Sequence, residues 1–211
     1  MPESLNAAPP PDAVVLFAGA NLDQWEARGG GLAPWTVDNG EMTTRNSDIV
    51  SRQRFEDFYL HVEFRCPNLP PEVTGQGRSN SGVFLQGRYE IQVLDSYGIA
   101  EPGQGDCGAL YNHAAPLVNA CTPPEEWETY DAFFRAPRFD ATGAKIEDAR
   151  VTLLLNGVLI QNNVALSGQT GGALDENYHE AGPIMLQFHG DAVRYRNVWV
   201  QSLPLSGANH Y

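Results

Sequence analysis

The chain has 211 residues, of which 42% are hydrophobic and 18% charged, and its formal net charge at pH 7 is −13. Such an acidic surface repels nucleic acid and anionic membranes, so we expect neither as a partner, whereas a sugar or a cation is compatible with it. Three cysteines, Cys66, Cys107 and Cys121, are too few and too scattered for a disulfide framework or a closely spaced zinc motif. They leave open one disulfide or three free thiols.

The length suits a single domain with a full core. Residues 1–12 are rich in Ala and Pro and contain neither the basic region nor the apolar segment of a secretory signal, and no run approaches the length of a membrane span. We therefore expect a flexible leader at 1–13, one domain at 14–205 and a short tail at 206–211.

Alternating apolar and polar residues predict β-strands throughout the domain. Short strands at 14–17 and 48–51 and a hairpin turning at Asn39-Gly40 come first, followed by the clearest alternation of all at 58–65. Strands at 127–134, a hairpin at 150–161 turning at Asn156-Gly157, and strands at 183–189 and 193–200 complete the series. No long helical pattern or internal repeat occurs, so the sequence predicts an all-β sandwich.

The stretch 78–95 carries the side chains where we expect the chemistry. Arg88, Glu90 and Gln92 alternate with apolar residues, which predicts a strand with a polar open face, and Gln86-Gly87 before it predicts a hairpin loop or a bulge. A bulge after Gln92 would return Asp95 to the face of Glu90 and give a carboxyl pair of the kind that cleaves glycosidic bonds. The alternative is an ordinary polar strand face with Asp95 opening a turn.

Further candidates lie towards the end of the chain. His189 and Gln187 share one strand face, and His189, beside Gly190, suits a general base or a ligand contact; otherwise it is a surface histidine. Arg194 and Arg196 share a face of the last strand, where they could hold carbonyl or hydroxyl oxygens or neutralise an acidic surface.

The sequence gives little indication of a metal or a cofactor. His113 and His179 have no partner at metal-ligand spacing, so we expect no zinc site. A structural Ca²⁺ is left open by the acidic loops, although no calcium-loop pattern occurs. No nucleophile elbow, phosphate loop or dinucleotide fingerprint is found either.

As an ordered set, short motifs between Val14 and Leu203 resemble the 3-keto-disaccharide hydrolase domain, a bacterial family. The motifs are Leu16-Phe17, Phe55-x-Asp57-Phe58-x-Leu60, Asn80-Ser81-Gly82-Val83-Phe84, Tyr89-Glu90-x-Gln92-Val93-Leu94-Asp95-Ser96, Gly108-Ala109-Leu110-Tyr111, Pro123-Pro124-x-Glu126-Trp127, Leu155-Asn156-Gly157, Gly182-Pro183-Ile184-x-Leu186-Gln187-x-His189-Gly190 and Arg196-Asn197-Val198-Trp199. The resemblance implies a concanavalin A-like jelly roll of two curved antiparallel sheets. It also implies a periplasmic or secreted location.

The activity implied by the resemblance is cleavage of the glycosidic bond of a 3-keto-glycoside made by a partner sugar 3-oxidoreductase. The array Glu90-x-Gln92-x-x-Asp95 is also similar to the Glu-x-Asp-x-x-Glu strand of related retaining glucanases, but it has Gln in the middle. We therefore expect C2 proton abstraction and elimination followed by hydration, a route that the 3-keto group makes available. The alternative is a non-catalytic, lectin-like carbohydrate-binding module.

The elimination route requires a base, an oxyanion stabiliser and an acid. We assign Glu90 or His189 as base, Arg196 or Arg88 as stabiliser of the enolate, and Asp95 as acid or orienting group. Substrate contacts are expected from Gln92 and Gln187 and from the motif residues Asn80 and Tyr111. No cofactor is assigned.

Overall fold

The computed structural model describes residues 4–204. Its strands are β1 (Val14–Phe17), β2 (Trp25–Ala27), β3 (Thr36–Asp38), β4 (Glu41–Thr43), β5 (Ile49–Phe55), β6 (Phe58–Arg65), β7 (Ser81–Leu85), β8 (Tyr89–Val93), β9 (Glu128–Arg135), β10 (Arg138–Phe139), β11 (Lys145–Glu147), β12 (Ala149–Leu155), β13 (Val158–Leu166), β14 (Gly182–Leu186) and β15 (Arg194–Ser202). A single turn of 3₁₀ helix spans Gly75–Gly77. Within residues 4–204, no helix is long and apolar enough to cross a membrane.

Two antiparallel sheets form the sandwich that the sequence predicts. The larger sheet has the order β13-β12-β9-β6-β15-β4-β3, with β1 also paired to β15, and the smaller has the order β2-β5-β14-β7-β8. Strands β10 and β11 form a separate two-stranded ribbon. The predicted hairpins turn where expected, because Asn and Gly tolerate positive φ: Asn156 and Gly157 have φ of 55° and 80°.

The core lies between the facing sides of the two sheets. Tyr89, Ile91 and Val93 of β8 are buried there, as the alternation predicts. Tyr89 packs on Phe134 of the larger sheet with ring centroids 5.4 Å apart. Because side chains alternate along a strand, Glu90 and Gln92 must face away from the core, on the outer side of the smaller sheet.

The outer side of the larger sheet is less open than the alternation at 58–65 indicates. His61 and Glu63 of β6 lie there fully buried, because the N-terminal segment crosses them. The backbone N–H of Asn6 donates to Glu63 at 2.5 Å, and the Ala7 carbonyl accepts from the indole of Trp199 at 3.3 Å. Residues 4–7 therefore do not form the free leader that the sequence predicts; residues 1–3 and the predicted tail at 206–211 lie outside the described residues.

The structure decides between the two alternatives for Gln86-Gly87, and it ends one predicted strand early. Gln86 and Gly87 form a hairpin loop, with φ of 53° and 67° and the N–H of Arg88 donating to the Leu85 carbonyl at 3.0 Å. Strand β14 ends at Leu186, so Gln187 and His189, predicted inside a strand at 183–189, instead follow its end.

Candidate functional site

A pocket of about 330 Å³ opens on the outer side of the smaller sheet, over β7 and β8. Pockets for small ligands begin at about this size. Strand β8, the segment after β14 and three loops contribute its lining residues, which are Gln76, Asn80, Glu90, Gln92, Tyr111, Gly171, Gly172, Gln187 and His189. Six of the nine residues assigned from the sequence are thus brought together here.

Glu90 is the buried acid of the pocket, with only 4% of its surface exposed. No donor in the described part of the chain hydrogen-bonds to its carboxyl group. Burial raises the pKa of Glu90 to about 8, and the nearby negative charge of Asp48 adds to the effect. A carboxyl group with such a pKa takes up and releases a proton near neutral pH, which is the property that proton-transfer catalysis requires.

Gly82 makes the space that this carboxyl occupies. It stands opposite Gln92 in the β7–β8 pair, and a Cβ atom at this position would lie 2.5 Å from Oε1 of Glu90. Any other residue would push the carboxyl group out of its position. The Asn80-Ser81-Gly82 motif therefore has a steric role at the site.

Three amide side chains form a connected wall beside Glu90. Asn80 donates from Nδ2 to the Gln76 side-chain oxygen at 3.1 Å, and Gln92 donates from Nε2 to the Asn80 side-chain oxygen at 3.2 Å. Gln76 in turn donates to the Gly105 carbonyl at 2.7 Å. These bonds fix the amide orientations, which suits a surface that recognises hydroxyl groups in one arrangement.

The opposite wall comes from the segment after β14. The backbone N–H of Gln187 donates to the Gly82 carbonyl at 2.9 Å, which ties this segment to β7. The side-chain oxygen of Gln187 is buried and has no hydrogen-bond partner among the described residues, and a ligand hydroxyl would supply one. His189 is exposed at the rim, and Tyr111 is placed by its N–H, which donates to the Glu90 carbonyl at 3.1 Å.

Asp95 does not join Glu90. Strands β7 and β8 pair without interruption from Ser81↔Val93 to Leu85↔Tyr89, so the expected bulge after Gln92 is absent. The Asp95 carboxylate instead forms an ion pair with Arg78, and its other oxygen accepts from the N–H of Tyr97. The predicted carboxyl pair is therefore not formed, and Asp95 fixes a turn next to the pocket.

The two arginines assigned as enolate stabilisers also lie elsewhere. Arg88 is fully buried below the 170–181 loop, where its Nε donates to Asp175 at 2.6 Å and Nη1 to the Glu180 carbonyl at 2.9 Å. Arg196 is on the larger sheet and donates to Glu63 at 2.6 Å. In both cases a carboxylate elsewhere holds the guanidinium, so no arginine lines the pocket.

Sequence reasoning missed Gln76, Gly171 and Gly172. Gln76 lies in the short 3₁₀ turn Gly75–Gly77 and the two glycines lie in a loop, and in neither place does a periodicity assign a direction to a side chain. Gly172 has φ of 78°, and a Cβ atom there would lie 3.4 Å from the Phe84 ring. The only signals available were the Gly-rich composition of 167–176 and the Pro/Gly-rich loop at 67–77.

Comparison with known proteins gives the chain its family. The model of the 3-keto-alpha-glucoside-1,2-lyase-like domain matches residues 12–201. The chain belongs to this family. It is thereby a carbohydrate-active domain related to glycosyl hydrolases, as its motifs predict. None of the curated proteins compared with the chain matches it.

Solved structures agree with this assignment. A candidate glycosyl hydrolase from Parabacteroides distasonis is 40% identical, with a TM-score of 0.82 over 92% of this chain and 85% of that one. A second protein from the same organism is 20% identical, with a TM-score of 0.66 and coverage of 92% and 94%. Alginate lyase Aly36B is 9% identical, with a TM-score of 0.52 and coverage of 93% and 99%. The last two show the shared fold alone, and the predicted concanavalin A-like sandwich is confirmed.

Proposed function

We propose that this protein cleaves the glycosidic bond of 3-keto-glycosides by elimination across C1 and C2, with water adding afterwards. The observation that carries the proposal is the Glu90 carboxyl group, which is buried in a sugar-sized pocket, free of hydrogen bonds, and has a pKa of about 8. The family match and the 40% identical candidate glycosyl hydrolase support the substrate class.

Glu90 acts as the base. A carbonyl at C3 acidifies the proton at C2, and Glu90 removes that proton while the C1–O bond breaks and a C1–C2 double bond forms in conjugation with the carbonyl. A base with a raised pKa is the stronger proton acceptor, and burial keeps water from competing for it. Addition of water across the double bond then gives the free 3-keto sugar and returns the proton from Glu90.

The remaining pocket residues orient the sugar and protonate the leaving group. His189, at the open rim, donates a proton to the departing oxygen. The amide wall of Gln76, Asn80 and Gln92 binds hydroxyl groups and polarises the C3 carbonyl through an amide N–H, and the side-chain oxygen of Gln187 accepts from a hydroxyl group. The amides thus take the role first assigned to Arg88 and Arg196, and His189 takes the acid role first assigned to Asp95.

The substrate carries a ketone that ordinary glycosides lack. A sugar 3-oxidoreductase must therefore supply it, and we propose such an enzyme as a functional partner. We propose a periplasmic or secreted location on the same basis.

Turnover tests the proposal. The wild-type protein, Glu90→Gln and Glu126→Gln are each incubated with aryl 3-keto-α- and 3-keto-β-glucosides and with the unoxidised parents. Glu126 is an exposed carboxylate outside the pocket and is the matched control. We expect the wild type and Glu126→Gln to release the aryl group from keto substrates only, and Glu90→Gln to lose at least about 100-fold in kcat/KM, a typical loss for a proton-transfer group.

The pH dependence separates a base from an acid at position 90. In His189→Gln, which removes the titration of the proposed acid, kcat/KM rises with pH and levels off above about 8 if Glu90 is the base. A rate that falls through the same range would make Glu90 the acid. Release from the unoxidised parents would contradict the elimination route, and sugar binding without any release would indicate a lectin-like module.

A further inference from the structure

A second group of reactive side chains lies outside the pocket, where the long loop between β8 and β9 meets the start of β9. Cys107 and Cys121 belong to this loop, and Glu128 is the first residue of β9. Their two Sγ atoms and one carboxylate oxygen all lie within 4.8 Å of one another. Cys107 and Glu128 are only 2% and 3% exposed, and Cys121 is partly buried.

The carboxylate of this group has no cationic partner in the described part of the chain. Glu128 accepts hydrogen bonds from the N–H of Thr122 at 3.1 Å and from Nδ2 of Asn156 at 3.2 Å, and no Arg, Lys or His pairs with it. Buried carboxylates are normally paired with a cation or bound to a metal, because an isolated charge in the interior is costly.

Hydrogen bonds from their backbone N–H groups hold the two cysteines in place. The N–H of Cys107 donates to the Ser96 hydroxyl at 2.9 Å, and the N–H of Cys121 donates to the Asn119 side-chain oxygen at 3.0 Å. Asn119 also donates to the Ser96 carbonyl at 2.7 Å, which links the two cysteine positions through one small network. Such support is what a ligand set needs in order to be formed before its ion arrives.

We propose that Cys107, Cys121 and Glu128 bind one Zn²⁺ ion. Ligand atoms on a tetrahedron around Zn²⁺ lie roughly 3.3–3.8 Å apart, so small side-chain rotations close the present group onto an ion. Two thiolates select a borderline-soft metal over Ca²⁺ or Mg²⁺. Binding releases both thiol protons, and solvent, which reaches the partly exposed Cys121, supplies the fourth ligand.

A disulfide between Cys107 and Cys121 is the competing use of the same thiols. It would leave Glu128 buried against neutral sulfur with no compensating charge, whereas a cation accounts for all three side chains. The sequence did not indicate this site because its ligands are 14 and 7 residues apart and lack the short spacing of zinc motifs.

The zinc site would stabilise the segment that places Tyr111. Between Cys107 and Cys121 the chain runs along β8: the Gln92 N–H donates to the Ala109 carbonyl at 2.9 Å, and the Gly108 N–H donates to the Gln92 carbonyl at 3.0 Å. An ion at one end of this segment therefore holds it against the strand that carries the pocket acid.

Metal binding to the reduced, chelator-treated full chain tests the proposal without an activity assay. Titration with Co²⁺ should produce thiolate-to-cobalt charge-transfer absorption that saturates at one ion per chain, and Zn²⁺ should displace it and raise the melting temperature. Cys121→Ser and Glu128→Gln should weaken Zn²⁺ binding by more than about 100-fold, because loss of a direct ligand exceeds the loss of an outer-shell partner. Cys66→Ala, which removes the buried thiol outside the group, should bind as the wild type does.

Absence of the cobalt absorption in the reduced wild-type protein would overturn the proposal, as would equal absorption in Cys121→Ser. A reduced protein that binds no Zn²⁺ but loses two hydrogens on mild oxidation, with the bond mapped to Cys107 and Cys121, would assign the thiols to a disulfide. If Cys121→Ser does not fold, the wild-type stoichiometry and the Cys66→Ala control still decide the matter.

Discussion

Glu90 has the most unusual environment among the polar residues of the pocket. Most buried acids in this protein have a donor: Asp57 is paired with Arg138, and Glu63 accepts from Asn197 and Arg196. Glu90 has none, and its carboxyl group stays uncharged below its raised pKa. A residue so placed weakens the folded state at high pH, which is the expected cost of a functional group in a buried site.

That cost is measurable as a dependence of stability on pH. The folded-state pKa of Glu90, about 8, lies above its unfolded value, so its contribution to stability is full below pH 4.5 and is lost as pH rises through 8. Glu90→Gln has no charge to bury. We expect the variant to gain roughly 3–5 kcal/mol over the wild type between pH 4.5 and pH 9, measured by urea unfolding. An advantage that does not change with pH would show that Glu90 is not the group that titrates.

Gly82→Ala tests the space beside this carboxyl group. The new methyl would lie 2.5 Å from Oε1 of Glu90, whose flexible side chain can move away at little energetic cost, and 3.0 Å from the Phe84 ring, which has to shift by a few tenths of an ångström. We therefore expect a melting temperature within a few degrees of the wild type and turnover reduced at least about tenfold, since small displacements of catalytic groups are expensive. Gly103→Ala, whose methyl would meet only an ordinary 3.5 Å contact, is the control. Full activity in Gly82→Ala would contradict a fixed position for Glu90.

At the scale of elements, the strands were predictable and their order was not. Period-two alternation and Asn-Gly turns found β6, β9 and the β12–β13 hairpin, because these signals are local. The two sheets arise from pairings such as β6 with β15, residues far apart in sequence, which no local pattern encodes. The same holds for the site: Glu90 and Gln92 were predicted from their strand, whereas Gln76 lies in a single 3₁₀ turn and Gly172 in a loop, where no such pattern exists.

The errors in the predicted site have one physical cause. Alternation assigns a side chain to a face, but not to a partner. Arg88 and Glu90 alternate together in the sequence, yet β8 begins only at Tyr89, and Arg88 lies in the preceding turn, where it binds Asp175, while Glu90 faces the pocket. Asp95 likewise forms an ion pair with Arg78, and no local sequence pattern indicates that pairing.

The 170–181 loop, which brings Gly171 and Gly172 to the pocket, is held from below by Arg88. Arg88→Met would remove the bonds to Asp175 and to the Glu180 carbonyl, and we expect a loss of about 2–4 kcal/mol. In Arg88→Met, amides of residues 170–181 should exchange hydrogen faster than they do in the wild type, while amides of β6 should exchange at the wild-type rate. Arg54→Met, which touches the same loop from the exposed side, should cost less than about 1 kcal/mol. Equal losses of unfolding free energy in the two variants would show that the burial of Arg88 does not strengthen its contacts with the loop.

At the scale of the whole molecule, the outer sides of the two sheets differ in structure. The smaller sheet presents the pocket, and the larger sheet buries a polar network below the N-terminal segment, where the Nδ1–H of His61 donates to Asp131 at 2.7 Å and the His61 ring stacks on Trp199. The sheets pack back to back, so a change on one outer face reaches the other only through the core.

Deletion of residues 1–8 tests this independence. It exposes Glu63 and removes the acceptor of the Trp199 indole, so we expect a loss of at least about 1 kcal/mol in unfolding free energy. KM and kcat for the keto substrate should stay within twofold of the wild type. Roughly this deviation is expected when changes at distant sites act independently. A large change in KM with little change in stability would show that the faces are coupled.

Strand β8 is the last strand of its sheet, and the edge of such a strand normally offers free N–H and C=O groups to any passing β-strand. Here the segment Gly108–Tyr111 occupies that edge with its own backbone, through Leu110 opposite Ile91 and the bonds to Glu90 and Gln92. The strand that bears the pocket acid is thereby protected from intermolecular pairing. Loosening of this one segment would open the binding site and create an adhesive edge at the same time, so selection against aggregation and selection for function act here on the same few hydrogen bonds.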